Sequence, residues 1–210
     1  LLLSRAMRIE DFEIDVPAEL IAQSPSAERG SSRLLHLPAL FTAPHDLMFA
    51  DLPALLSAGD LLVINDTRVV KARLFAHKSS GGRAEVLVER ALGRRRFIAH
   101  IRANRAPQAG SSLSFGDGFE ATVLDRHQGL FELELEPGAD LTRLMELHGS
   151  LPLPPYIKRQ ADAFDEQRYQ TVYATRTGAA AAPTAGLHFD EAMLERLVAQ
   201  GVSIARITLH

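Results

Sequence analysis

The chain has 210 residues, of which 46% are hydrophobic and 23% charged, with a formal net charge of −3 and no cysteine. This composition excludes disorder and collagen-like structure. The missing cysteines exclude disulfides, thiolate nucleophiles, zinc knuckles and Cys-held iron–sulfur clusters within it. No apolar run approaches the roughly 18–20 residues that span a bilayer, so no membrane partner is expected and the expected address is the cytoplasm.

Met7 reads as a natural start, with residues 1–6 as an extension. Pro17 to Gln23 has helical character, Arg33 to Leu37 is a short strand, and Ala50 to Ser57 is a short helix stopped by Gly59. Leu61 to Ile64 is a continuous apolar run, the pattern of a strand covered on both faces. From Val69 the texture changes to short alternating runs (Val69–His77, Ala84–Leu92, Phe97–Arg102, Phe119–Leu124 and Leu130–Leu135) separated by Gly-rich turns. That spacing predicts a small antiparallel barrel or sandwich. Leu141, Leu144, Met145 and His148 then sit at helical spacing, and Leu151 to Tyr156 forces an extended connector. Asp190 is a good N-cap, with Phe189 and Leu194 as a staple across it. Val202 to Leu209 again has the pattern of a buried strand. The expected fold is a mixed α/β domain, residues 7–68 and 150–210, interrupted by an inserted β-barrel over 69–149.

Charge is unevenly spread. Between Arg68 and Arg105 there are eleven basic residues against only Glu85 and Glu89, whereas Asp117 to Asp140 is strongly acidic. Either the basic half meets nucleic acid, centred on Arg94, Arg95, Arg96, Arg102 and Arg105, or the two sets are solvated hairpin faces that attract each other.

No Gly-rich nucleotide loop, serine elbow or paired-histidine metal motif occurs, so no metal site is expected. Two segments are chemically loaded. Asn65-Asp66-Thr67-Arg68 follows a strand end, where open α/β sheets place ligands, although an Asx-turn would also account for it. In Gly178 to Phe189, Pro183 and Gly186 forbid a single helix. Small side chains there let backbone approach a ligand, Thr184 and His188 supply polar heads, and the segment opens the helix at Asp190. A tight packing loop is the alternative.

These strings, in order, resemble one family. Met7-Arg8-Ile9-Glu10-Asp11-Phe12, Asn65-Asp66-Thr67-Arg68-Val69, Pro152-Leu153-Pro154-Pro155-Tyr156-Ile157, Tyr169-Gln170-Thr171-Val172-Tyr173, Ala182-Pro183-Thr184-Ala185-Gly186-Leu187-His188-Phe189 and Thr208-Leu209-His210 are similar to the S-adenosylmethionine:tRNA ribosyltransferase-isomerases of queuosine biosynthesis. Members of that family continue past Thr-Leu-His, so the resemblance makes this chain a fragment lacking part of the α/β domain.

The resemblance implies transfer and isomerisation of the ribosyl group of S-adenosylmethionine onto the aminomethyl group of a 7-deazaguanine at the tRNA wobble position. Epoxyqueuosine, adenine and methionine would be the products. It implies S-adenosylmethionine as co-substrate, no metal, and a monomer. On this reading His188, Thr184 and His210 are the catalytic candidates. Asn65, Thr67, Arg68, Arg73, Tyr156, Pro183 and Gly186 would bind substrate. The competing class is a non-catalytic RNA-binding barrel on an α/β platform.

Overall fold

The computed structural model describes residues 8–39 and 42–210. The expected start at Met7 and the extension 1–6 lie outside them. The leading segment carries only single 3-10 turns at Ile9–Phe12, Ala18–Leu20 and Arg29–Ser31. The helix expected over Pro17 to Gln23 is therefore one turn: Ile21 is already extended, and Pro25 holds the residue before it out of helical backbone. Strands β1 (Arg33–His36) and β2 (His45–Met48) pair antiparallel, and a 3-10 helix over Phe49–Leu55, with Pro53 inside it, replaces the expected short α-helix.

β3 (Leu61–Asn65) and β4 (Thr67–Val69) follow. Next come the barrel strands β5 (Arg73–Lys78), β6 (Arg83–Ala91), β7 (Arg96–Arg102), β8 (Ser112–Phe115), β9 (Phe119–His127) and β10 (Leu130–Leu135). They close in the order β10-β7-β6-β5-β8-β9, every pair antiparallel. Strict alternation drives the closure: Leu74 and Ala76, Val86 and Val88, Phe97 and Ala99, Leu113 and Phe115, and Phe131 and Leu133 are all buried. Asp117 and Gln128 adopt positive φ in the two tightest turns, a conformation open to Asp and Asn-like side chains. Helix α1 (Leu141–His148) seats Leu141 and Leu144 in this core.

The run from Val69 to His77 is not one strand. β4 pairs parallel with β11 (Arg176–Ala179) outside the barrel, and Val69 packs with Leu151, Leu153, Tyr169 and Ala182 instead. Helix α2 (Ala163–Arg168) precedes β11. A 3-10 turn over Thr184–His188 leads to α3 (Glu191–Ala199), capped by Asp190, whose Oδ1 accepts from the Met193 N–H at 2.7 Å. β12 (Ser203–Ile207) then lies parallel to β3.

Among the described residues, β3 and β12 are covered on one face only. Ile64 is buried with Phe49, Met193 and Leu197, while Leu61, Val63 and Ile207 are exposed. Helix α3 and the Phe49–Leu55 turn supply one layer, and among the described residues no second layer lies on the other face.

Candidate functional site

A cavity of about 590 Å³ opens between the leading segment, the Pro-rich connector, α2 and the Thr184–His188 turn. That volume is in the range of small-molecule sites. It gathers three expected residues, Tyr156, Thr184 and His188, with Ser26, Ser32, Arg159 and Arg168.

The walls are held by arginines that use backbone as acceptor. Arg29 donates to the carbonyls of Leu187 (2.9 Å), Gln167 (3.1 Å) and Gln170 (2.8 Å), stitching the leading segment to α2 and the His188 turn. Gln170 in turn pairs with both backbone groups of Val69 at 2.9 Å, as a neighbouring strand would. Arg159 donates from Nε to Gln23 O at 2.8 Å and from Nη2 to Asp165 Oδ1 at 2.8 Å, while Nη1 reaches the other carboxylate oxygen. Asp165 is almost wholly buried and also closes the capping box of α2. Its Arg159 partner holds its carboxyl below the usual range. Arg168 is less committed: Nη2 donates to Ser26 O at 2.9 Å, but Nε is buried with no partner.

His188 stacks at a tilt on Phe49, ring centroids 5.2 Å apart. Burial first, then the nearby Arg168 and Arg29 cations, pushes its imidazole pKa down, so the ring is neutral at pH 7. A neutral imidazole lining a cavity can take a proton.

The other expected residues lie elsewhere. Gly186 and Pro183 do not line the cavity. Gly186 is buried, and a Cβ there would stand 2.2 Å from the Tyr173 hydroxyl, so the glycine answers to packing rather than to a ligand. The N-terminus of α3 is occupied by its own Asp190. Arg73 does not line the cavity; it donates to Leu153 O at 3.0 Å and lies 3.1 Å from Glu85.

Asn65, Thr67 and His210 form a second cluster around Asp66. Asp66 accepts from the Thr208 hydroxyl (2.7 Å) and the Thr175 hydroxyl (2.9 Å), bonds that hold its pKa low. Asn65 makes an Asx-turn to the Thr67 N–H and a two-way bond with the Leu209 backbone. Arg68 lies alongside and donates to Ala174 O at 3.3 Å.

On the barrel, Arg94 pairs with Asp140 and Arg95 with Glu134, both at 3.0 Å, and Arg96 pairs with Glu132. Each of the three thus has an acid partner on the same surface. Among the described residues Arg102 and Arg105 have no ion-pair partner. Sequence reasoning did not single out Asp66, Arg159, Asp165 or Arg168; the D-x-x-D capping box at Asp162 was the signal available for Asp165. Among the described residues, no group of three His, Asp or Glu side chains is placed to hold a metal, and no helix is long and apolar enough to cross a membrane.

The model of one protein family, described as "Queuosine biosynthesis protein", matches residues 9–210. The chain belongs to that family. It is 54% identical over 204 residues to an S-adenosylmethionine:tRNA ribosyltransferase-isomerase of Nitrosospira multiformis, covering 97% of this chain and 57% of that protein. It is 52% identical over 205 residues to the protein of the same name from Aromatoleum aromaticum, covering 98% of this chain and 59% of that one. The chain thus spans less than two thirds of the length of these relatives. A crystal structure of S-adenosylmethionine tRNA ribosyltransferase from Thermotoga maritima is 27% identical and covers 95% of this chain and 58% of that one, at a TM-score of 0.39.

Proposed function

We propose that the protein carrying this chain is a tRNA-modifying transferase. It moves the ribosyl group of S-adenosylmethionine to the aminomethyl group of 7-aminomethyl-7-deazaguanine at the tRNA wobble position, isomerises it to the epoxyqueuosine form, and releases adenine and methionine. The observation that carries this reading is the cavity, which His188, its pKa lowered by burial, lines together with Thr184, Tyr156 and Arg168.

In this reading His188 takes the proton next to the sulfonium, and its imidazolium then assists departure of adenine. Arg168, which lines the cavity where Arg68 and Arg73 do not, meets the methionine carboxylate. Thr184 and Tyr156 orient the nucleoside. His210 and the Asp66 cluster brace the strand ends that position the site. No metal takes part. We further propose that residues 7–68 and 150–210 form one discontinuous domain with 69–149 inserted, and that the protein works as a cytoplasmic monomer.

The deciding experiment is adenine release from S-adenosylmethionine by the protein carrying this chain, with and without precursor tRNA, alongside mass spectrometry of the tRNA nucleosides. Precursor-dependent release is expected. RNA binding without release would favour the non-catalytic barrel.

A further inference from the structure

The outer face of β5, β6 and β7 has a composition that the inside of the barrel does not explain. Register places Phe75, Glu85 and Arg102 in one row across the three strands. The adjoining rows on the same face hold His77 beside Arg83, and Arg73 with Leu87 and His100. Phe75 is 54% exposed although its neighbours Leu74 and Ala76 are buried. The ring thus leaves about half of its surface open to solvent in the middle of the sheet's outer face.

The charges around it are unbalanced. Glu85 is taken by Arg73 at 3.1 Å, and Arg83 and Arg102 are exposed with no carboxylate partner among the described residues. Lys78 donates to the backbone carbonyl of Arg105 at 3.1 Å, drawing the loop after β7 to the end of β5. With strands about 4.8 Å apart, Phe75 and Arg102 stand about 10 Å from each other and Arg83 about 7 Å along β6 from their row. A flat aromatic ring flanked by free guanidinium forks is the chemistry that binds a single-stranded nucleic acid, the ring stacking a base and the forks holding phosphates.

We propose that this face, with Phe75 at its centre and Arg83 and Arg102 around it, binds an unpaired stretch of the RNA substrate. This rests on the tRNA reading above and moves the contact away from Arg94, Arg95 and Arg96, whose charges the barrel's own acids neutralise.

The test measures affinity of the protein carrying this chain for precursor tRNA by fluorescence anisotropy over a series of salt concentrations. Phe75→Ala should weaken binding roughly 5- to 100-fold with an unchanged salt slope, since stacking releases no counterions. Phe75→Trp should restore the affinity. Arg83→Gln with Arg102→Gln should flatten the slope by about 0.7 log units for each lost contact. Circular dichroism and thermal midpoints establish that each variant keeps its barrel. If folded variants bind as the parent does, the surface is wrong while the enzymatic reading stands. If the parent itself binds no tRNA, both are overturned.

Discussion

The Thr67 hydroxyl and Nδ1 of His210 lie 2.8 Å apart across 143 residues of sequence. Around this bond the strand end at Asn65–Thr67, the segment Thr175–Gly178 and Thr208 just after β12 are drawn together, with Asp66 accepting the Thr175 and Thr208 hydroxyls. The absence of a side chain at Gly178 makes room for it: a Cβ there would stand 2.7–2.9 Å from the imidazole ring of His210.

Gly178→Ala should therefore displace the imidazole without touching Thr67. Long-range proton–nitrogen NMR of the His210 ring should show loss of the Nδ1 hydrogen-bond signature, as Thr67→Val should. The thermodynamic cost of the Thr67 change should be modest, about 1 kcal/mol, because the imidazole can turn to water. An unchanged spectrum in Gly178→Ala would mean the ring is held by something other than this packing.

Arg159 and Asp165 make a different kind of bond. Asp165 has a side chain only 4% exposed, so removing its cation strands a buried carboxylate. Arg159→Ala should destabilise the protein by about 3 kcal/mol in urea denaturation. The double variant with Asp165→Ala should recover part of that loss, and simple additivity would argue against a buried pair. Because Arg159 holds the Asp165 carboxyl below its ordinary pKa, the stabilisation is present above about pH 4 and is lost as pH falls through the lower folded value.

Gly186→Ala tests whether the APTAGLHF segment is packed or ligand-facing at that point. The added methyl would collide with Tyr173 Oη and Thr171 Cγ2. A loss of about 1–3 kcal/mol is expected, accompanied by movement of the adjoining His188 turn. A neutral effect on stability with reduced substrate affinity would return Gly186 to the binding surface.

The barrel was legible because its signal is local. Alternation with period two, punctuated by glycine turns, marks every strand except β8, whose Leu113 and Phe115 alternate over too few residues to stand out. The parallel pairs were less legible, because apolar runs at Leu61–Ile64 and Val202–Leu209 resemble fully buried strands while the described fold covers one side of them. The site divided along the same line. Thr184, His188 and Tyr156 carried polar heads in unusual strings and do meet at one cavity. Asn65 and Arg73 had the right chemistry, but which backbone groups would consume it depends on tertiary contacts with Leu209 and Leu153. The arginine triplet is another such case, since charge counts cannot reveal that each guanidinium lies across the ladder or at a helix cap from its own acid.

His188 is the residue on which the catalytic reading turns, and its titration tests that reading directly. Burial and two neighbouring guanidinium groups disfavour the imidazolium, so its folded pKa lies below the ordinary 6.5. The unfolded chain binds the proton first as pH falls. Stability attributable to this residue is thus present above about pH 6.5 and declines as pH drops from there through the folded value. His188→Gln should remove that part of the decline, measured as the difference between parent and variant denaturation curves at pH 7.5 and 5.5. Arg168→Gln removes one of the two cations, so the imidazole pKa followed by NMR should rise. If His188 is the base, the acid limb of kcat/KM for adenine release should move up by the same amount, and His188→Gln should lower turnover by roughly 10²–10⁴-fold. A raised imidazole pKa with an unmoved acid limb would assign the base to another group and leave His188 as part of the cavity wall.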